Sequence, residues 1–231
     1  MNFVKRTWAE ISLDAIAHNF NEIKNKVNGN SKICCVIKAD GYGHGAAELA
    51  NIYDELGADF FAVSNIDEGI EIRNSGCKLP IVILGYTPVA DAKRLSDYDI
   101  SQAVFSLEYA KSLSDECVKQ NCTCKIHIKV DTGMSRIGFM CQQFPRDDYS
   151  IKEILEVCNL PNLSLEGLFT HFCVSDEAEE GREFTQRQYQ NFIYAKNAIQ
   201  SNGINIKYVH CSNSGAIEDY PDTYCDMVRA G

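Results

Sequence analysis

Lys38 stands where an apolar run, Ile33-Cys34-Cys35-Val36-Ile37, comes to a stop, and the ten residues from Val36 to Gly45 read Val-Ile-Lys-Ala-Asp-Gly-Tyr-Gly-His-Gly. A short continuous run of this kind, opened by Lys32, reads as a buried strand. A lysine at its end needs a reason, because burying an ammonium is costly. It must reach water, pair with an anion, or give up its charge by condensing with a carbonyl. Gly41, Gly43 and Gly45 let the backbone turn tightly against a ligand, and a helix beginning near Ala46 would offer amide donors to an anion. Tyr42 adds a phenol at the same place. Lysine, glycine turn, phenol and helix start together point to Schiff-base chemistry with a phosphate nearby.

The elements that must hold these groups follow from periodicity. Thr7 to Leu13 alternates as a half-exposed strand, and Asp14 looks like the cap of a helix that ends at Asn28-Gly29. Helices are expected over residues 46–56, 67–75, 90–95, 107–120, 151–157 and 184–199, with a short piece from Gly215. Strands are expected over residues 32–37, 60–63, 81–84, 102–105, 125–130, 165–171, 208–211 and 227–229. Eight alternations of strand and helix imply parallel pairing and an α/β fold, a closed (β/α)8 TIM-type barrel in preference to an open doubly wound sheet. In such a barrel the reactive groups collect at the carboxyl ends of the strands, where Lys38, Leu84, Asp131, His171, Ser212 to Ser214 and Arg229 all fall. Any one of them alone, such as a satisfied core histidine at 171, would carry little weight. The series stops at Arg229-Ala230-Gly231, the tip of the eighth strand, so residues 1–231 read as one barrel domain cut from something longer.

Composition narrows the function. A chain of 231 residues with 45% hydrophobic content fits one large domain with a proper core. A net charge of -10, from 22 basic and 32 acidic residues, argues against nucleic acid or an anionic membrane as the main partner. No apolar run approaches a membrane span, and Lys5, Arg6 and Trp8 in the first ten residues do not form a secretory leader. Eleven cysteines, odd in number and mostly inside apolar runs, read as reduced core thiols. Cys122 and Cys124 suggest half of a metal site, but no second pair accompanies them, and no metal is expected.

The ten-residue string around Lys38 closely resembles the pyridoxal phosphate (PLP) attachment segment of alanine racemases, fold-type III enzymes with a cofactor-binding barrel. Two further segments are similar to that family, His210-Cys211-Ser212-Asn213-Ser214 followed by Asp226-Met227-Val228-Arg229-Ala230-Gly231, and the long stretch His127 to Gly138. The family usually has proline where Ala230 stands. The resemblance implies that Lys38 carries PLP and acts as one catalytic base, that Tyr42, Ser214 and the Gly231 amide bind its phosphate, that Asn213 is a further cofactor contact, and that Arg229 donates to the pyridine nitrogen with His171 behind it. It also implies that Leu84 is an apolar cofactor contact. Arg136 is expected near the cofactor's phenolic oxygen, supported by Lys129, which some members carry as a carbamate. Met134 is expected near the substrate carboxylate at a dimer interface. An arginine opposite the ring nitrogen makes chemical sense, since a guanidinium stays protonated and weakens the ring as an electron sink.

The resemblance further implies a racemase interconverting L- and D-alanine for cell-wall peptidoglycan precursors, a homodimer in the whole protein, and a cytoplasmic location. The family's second base is a tyrosine of a C-terminal β-domain, contributed by the partner subunit, and that domain is absent from this sequence. Serine or broad-specificity racemases share the barrel motifs, and a non-enzymatic single-domain PLP-binding homeostasis protein has about this length. A decarboxylase of the same fold type would place an acidic group where Arg229 stands, and a metal-dependent barrel enzyme would need a ligand cluster.

Overall fold

The computed structural model describes residues 7–231. The leader reading of Lys5 and Arg6 lies outside the described residues. The chain runs α1 (Leu13–Val27), β1 (Lys32–Val36), a helical turn α2 (Lys38–Gly43), α3 (Ala46–Leu56), β2 (Phe60–Val63), α4 (Ile66–Asn74), β3 (Ile81–Ile83), α5 (Ala92–Asp97), β4 (Ile100–Val104) and α6 (Leu107–Lys119). It continues with β5 (Cys124–Asp131), a short β6 (Phe139–Met140), α7 (Asp148–Val157), β7 (Leu163–Phe169), α8 (Ala178–Ser201), β8 (Tyr208–His210), α9 (Ser214–Asp219) and β9 (Met227–Ala230).

Eight strands pair in parallel in the order β8-β7-β5-β4-β3-β2-β1-β9, and β6 pairs with the end of β5 outside that circuit. The remaining seam, between β8 and β9, is bridged by the Asp226 amide donating to the Val209 carbonyl at 3.0 Å and the Arg229 amide donating to the Ser212 carbonyl at 2.9 Å. The result is a nearly closed TIM-type barrel with an outer layer of helices, as the alternation predicted, and the open sheet is ruled out by the strand order. Apolar residues on the outward strand faces and the inward helix faces make the main core, from Phe20 and Val27 on α1 round to Ile199 on α8. A second, smaller apolar cluster, Cys34, Phe60, Ala62, Val82, Tyr208 and Met227, fills the inside of the barrel. The two clusters follow from strands buried on both faces, which is why these strands read as continuous apolar runs.

Several local expectations change. Thr7 to Ser12 makes no strand, and Trp8 is 65% exposed, because the alternating pattern finds no sheet edge to pair with among the described residues. Ser12, not Asp14, caps α1, its Oγ accepting from the Ala15 amide at 3.2 Å. The helix expected from Ala90 is a 3-10 turn, Val89–Asp91, running into α5. At the start of α3 one amide donor is already taken. The Ala46 amide donates to Asp40 Oδ1 at 2.8 Å, so an internal carboxylate already satisfies it.

Candidate active site

Lys38 follows β1 after Ile37 and opens the expected turn, in a left-handed form that the glycines alone did not foretell. Ala39, Asp40, Gly41 and Tyr42 all have φ between 50° and 60° and positive ψ, a left-handed helical turn. Only glycine adopts that region freely, so three of these residues are strained and need holding. The Gly45 amide donates to the Asp40 carbonyl at 2.9 Å. Glu68 on α4 accepts from the Ala39 amide at 3.0 Å and from the Ser64 amide at 2.7 Å, tying the turn to the end of β2. The left-handed twist brings Lys38 and Tyr42 to one cavity, with the ammonium 6.0 Å from the centre of the Tyr42 ring.

That cavity, of about 350 Å³, lies at the carboxyl ends of the barrel strands. Lys38, Tyr42, Leu84, Lys129, Arg136, His171, Asn213, Ser214, Arg229 and Gly231 all line it. Met134, alone among the expected site residues, is not in its wall; it sits half-buried on the loop beside Arg136. That loop is fixed by Asp131, whose Oδ1 accepts from the Gly133 and Ser135 amides at 2.9 and 3.0 Å. It closes at Gly138, where a Cβ would come within 2.8 Å of the Asp131 nitrogen. Asn213 reaches the wall, but its side chain has structural work. Its Oδ1 caps α9 at the Ala216 amide, and its Nδ2 donates to the Phe172 carbonyl at 3.1 Å. Ser214 Oγ donates to the Gly231 carbonyl at 2.7 Å and accepts from the Gly231 amide at 3.1 Å, joining the tips of β8 and β9.

Arg229 is the electrostatic centre. Its guanidinium is buried, with no carboxylate partner among the described residues. Nη2 donates to the Thr170 and Cys211 carbonyls at 2.8 and 3.0 Å and, more weakly, to His171 Nδ1 at 3.3 Å. Nη1 donates to His210 Nδ1 at 2.9 Å, and His210 Nε2 lies 3.0 Å from His127 Nδ1. Because arginine only donates, His210 Nδ1 must accept, so His210 carries its proton on Nε2 and passes a hydrogen bond to His127. The histidines therefore hold the arginine without neutralising it. Burial, followed by the Arg229 charge, drives His127 and His171 down to about 3 and His210 well below its ordinary value. The same two causes, in the same order, bring Lys129 down to about 7. Its ammonium lies 5.5 Å from the centre of the Phe169 ring and donates to the Val130 carbonyl.

The relay through His210 to His127 was not assigned from sequence. The signal was there, since His127, Lys129 and Asp131 share one face of β5 by alternation. Gly167 on β7 is the companion clue, because a Cβ there would fall 2.2 Å from His127 Nδ1. What sequence could not supply is that residues 127 and 210 meet.

The residues present fit PLP. A primary amine and a buried, permanently charged donor open on one cavity of the size that small cofactors occupy. The Nε–H of Arg229 makes none of the bonds above and is not sealed among the buried orphaned atoms, so a donor remains for an acceptor in the cavity. The Tyr42 phenol stands at the same wall as a hydrogen-bonding group for a phosphate, and the Ser214 hydroxyl and Gly231 amide, which bond each other here, would exchange those bonds for it.

The chain has relatives of known family and fold. The profile described as "Alanine racemase, N-terminal domain" matches residues 11–231. An alanine racemase of Clostridium perfringens is 46% identical over 228 residues, covering 99% of this chain and 57% of its own length. Alanine racemase 1 of Caldanaerobacter subterraneus is 40% identical over the same share of each. Among solved structures, alanine racemase from Clostridium difficile superposes with a TM-score of 0.91 at 40% identity, over 100% of this chain and 58% of that one. The Bacillus anthracis enzyme with bound L-Ala-P gives 0.86 at 32% identity, again over 100% and 58%. The chain thus spans less than two thirds of the length of these relatives, and no described helix is long and apolar enough to cross a membrane. With a profile match from residue 11 to residue 231 and relatives at 46% and 40% identity, the chain belongs to the alanine racemase family.

Proposed function

We propose that the protein carries PLP on Lys38 and interconverts L- and D-alanine. The observation that supports this most is the unpaired Arg229 guanidinium, held by neutral histidines and opening with Lys38 on one cavity. When bound, PLP supplies a ring that draws electrons from an attached amino acid and so acidifies its α C–H. Lys38, freed when substrate takes its place, removes or returns the α proton on one face. Arg229 offers its Nε–H as a hydrogen bond yet keeps its proton, which restrains the electron withdrawal and disfavours side reactions. His171 and His210 fix that guanidinium. Tyr42, Ser214 and the Gly231 amide bind the phosphate end, with Asn213 shaping the wall through its cap on α9, and Leu84 packs against the ring.

Arg136 and Met134 serve the substrate carboxylate. Lys129 is suited to modification. With its amine near 7, a large share is neutral at physiological pH, and a neutral amine attacks carbon dioxide: an N–C bond forms, one N–H proton leaves to solvent, and a carbamate anion remains beside Arg136. The second base is a tyrosine outside these 231 residues, from the partner subunit of a homodimer, and the cytoplasmic product D-alanine supplies peptidoglycan precursors. The relatives' names favour alanine over serine.

The test is spectroscopic and catalytic. Protein loaded with PLP should show visible absorbance and a borohydride-reducible adduct on Lys38, and the full-length protein should racemise alanine while residues 1–231 alone should bind PLP with little or no turnover. Full-rate racemisation by residues 1–231 would refute the external second base, and an adduct on another lysine would refute the site.

A further inference from the structure

Three cysteines meet at the opposite, amino-terminal rim of the barrel. Cys117 lies in the last turn of α6, Cys122 in the turn that follows, and Cys124 opens β5. Their sulfurs all lie within 4.8 Å of one another, with Cys117 and Cys124 at 3.3 Å. Sequence reading marked Cys122 and Cys124 as half a site without a partner; the return of α6 onto β5 supplies it.

We propose that Cys117, Cys122 and Cys124 form a three-thiolate site for a thiophilic cation, separate from the PLP cavity. Three sulfurs about 2.3 Å from a common ion stand about 4 Å apart, within the range the structure already holds. Cys117 and Cys124 are sealed and Cys122 is 8% exposed, so an ion has a rim to enter by and an apolar shell once inside. The frame is set by the backbone. The Cys122 amide donates to the Cys117 carbonyl at 3.0 Å through a left-handed Asn121, and Asn162 Nδ2 donates to the Cys122 carbonyl at 2.7 Å. These bonds fix the backbone that carries Cys117 and Cys122 before any ion arrives. Soft sulfur ligands select Cu(I) or Zn(II) over harder ions. Cu(I) is complete with three sulfurs, whereas Zn(II) would take water as its fourth ligand on the Cys122 side. The site would clip the end of α6 to the start of β5.

The intact protein, reduced and anaerobic, is titrated with Cu(I) in the presence of a competing chelator and, separately, with Zn(II). The expected result is one equivalent of at least one ion, three sulfur neighbours by X-ray absorption, and a raised unfolding temperature. Cys122→Ser, at the rim, should weaken binding by about 10-fold to 100-fold and leave the PLP absorbance unchanged. Cys117→Ser should do at least as much, and Cys158→Ser on the α7 side should do nothing. If Cys117→Ser does not fold, Cys122→Ser decides alone. Absence of binding by both ions, or binding that Cys122→Ser leaves intact, overturns the proposal.

Discussion

The inside of the barrel has two tiers, and they differ in kind. Toward the amino ends of the strands, Cys34, Phe60, Ala62, Val82, Tyr208 and Met227 form an apolar plug, with Phe60 and Tyr208 edge to face at 5.4 Å. Further up the strands the inward positions become Lys129, His210 and Arg229, with His127 between the tiers against Phe60 and Tyr208, all four buried and polar. Alternation generates both: Met227, Arg229 and Gly231 climb β9, and Cys34, Val36 and Lys38 climb β1. The same backbone geometry therefore carries a tier that stabilises and a tier that does chemistry. The division of labour lies in residue choice at a fixed spacing, and it can be tested tier by tier.

The largest effect belongs to the mouth. Lys38→Ala should abolish the visible absorbance and the reducible adduct of the PLP-loaded protein, while a half-exposed side chain there changes unfolding free energy by no more than about 0.5 kcal/mol. Phe60→Ala should do the reverse. It opens a cavity in the plug and should cost about 3–5 kcal/mol in denaturant unfolding, with the remaining folded molecules still binding PLP at Lys38. If Phe60→Ala destroyed PLP binding in folded molecules, the tiers would not be separable.

Arg229→Leu should cost less stability than Phe60→Ala, because relief of a buried charge offsets the lost hydrogen bonds to His210, Thr170 and Cys211. Its sharper signature is a rise in the Lys129 titration from about 7, since the Arg229 charge is one of the two main causes holding that amine down. An unchanged Lys129 titration by NMR would remove the coupling between them. His127→Phe should cost about 1–3 kcal/mol, because it leaves the His210 Nε2–H without an acceptor.

A separate effect is a slope in pH. His127 is held at about 3 in the folded chain against an ordinary value near 6.5, so between those values the unfolded chain takes up a proton that the folded chain does not. Stability should therefore fall as pH drops through that window, by up to about 1.4 kcal/mol per pH unit for each buried neutral histidine. His127→Phe should make the acid limb shallower by about one histidine's share.

Much of this was legible beforehand. Ala46–Leu56 and Phe60–Val63 were read to the residue, because each is a strongly patterned segment between glycine or aspartate signals. Alternation puts Lys38, Leu84, His171, Asn213, Ser214 and Arg229 at or just after strand ends, whereas Tyr42, Lys129, Met134, Arg136 and Gly231 rest on the family motifs. Thr7 to Leu13 failed because alternation indicates a strand only where a partner edge exists. Asn213 was assigned to the cofactor, although the same amide is a preferred helix cap, which is the role its side chain takes. The relay of His127 and His210 spans 83 residues, and the thiol cluster needs a helix folded back on a strand. Contacts of that range depend on barrel closure, which no local window contains.

The left-handed turn after Lys38 has a consequence for how the lysine could be lost. Three non-glycine residues in that conformation cost about 1–2 kcal/mol each, and the turn persists only because Glu68 and Asp40 over-determine it. It resembles a latch held shut against its own recoil. A change at Glu68, which touches no cavity wall itself but holds the Ala39 and Ser64 amides, would loosen the turn from the end of β2 and let the backbone relax toward ordinary right-handed geometry. The aim of the Lys38 amine is thus tied to one carboxylate on α4.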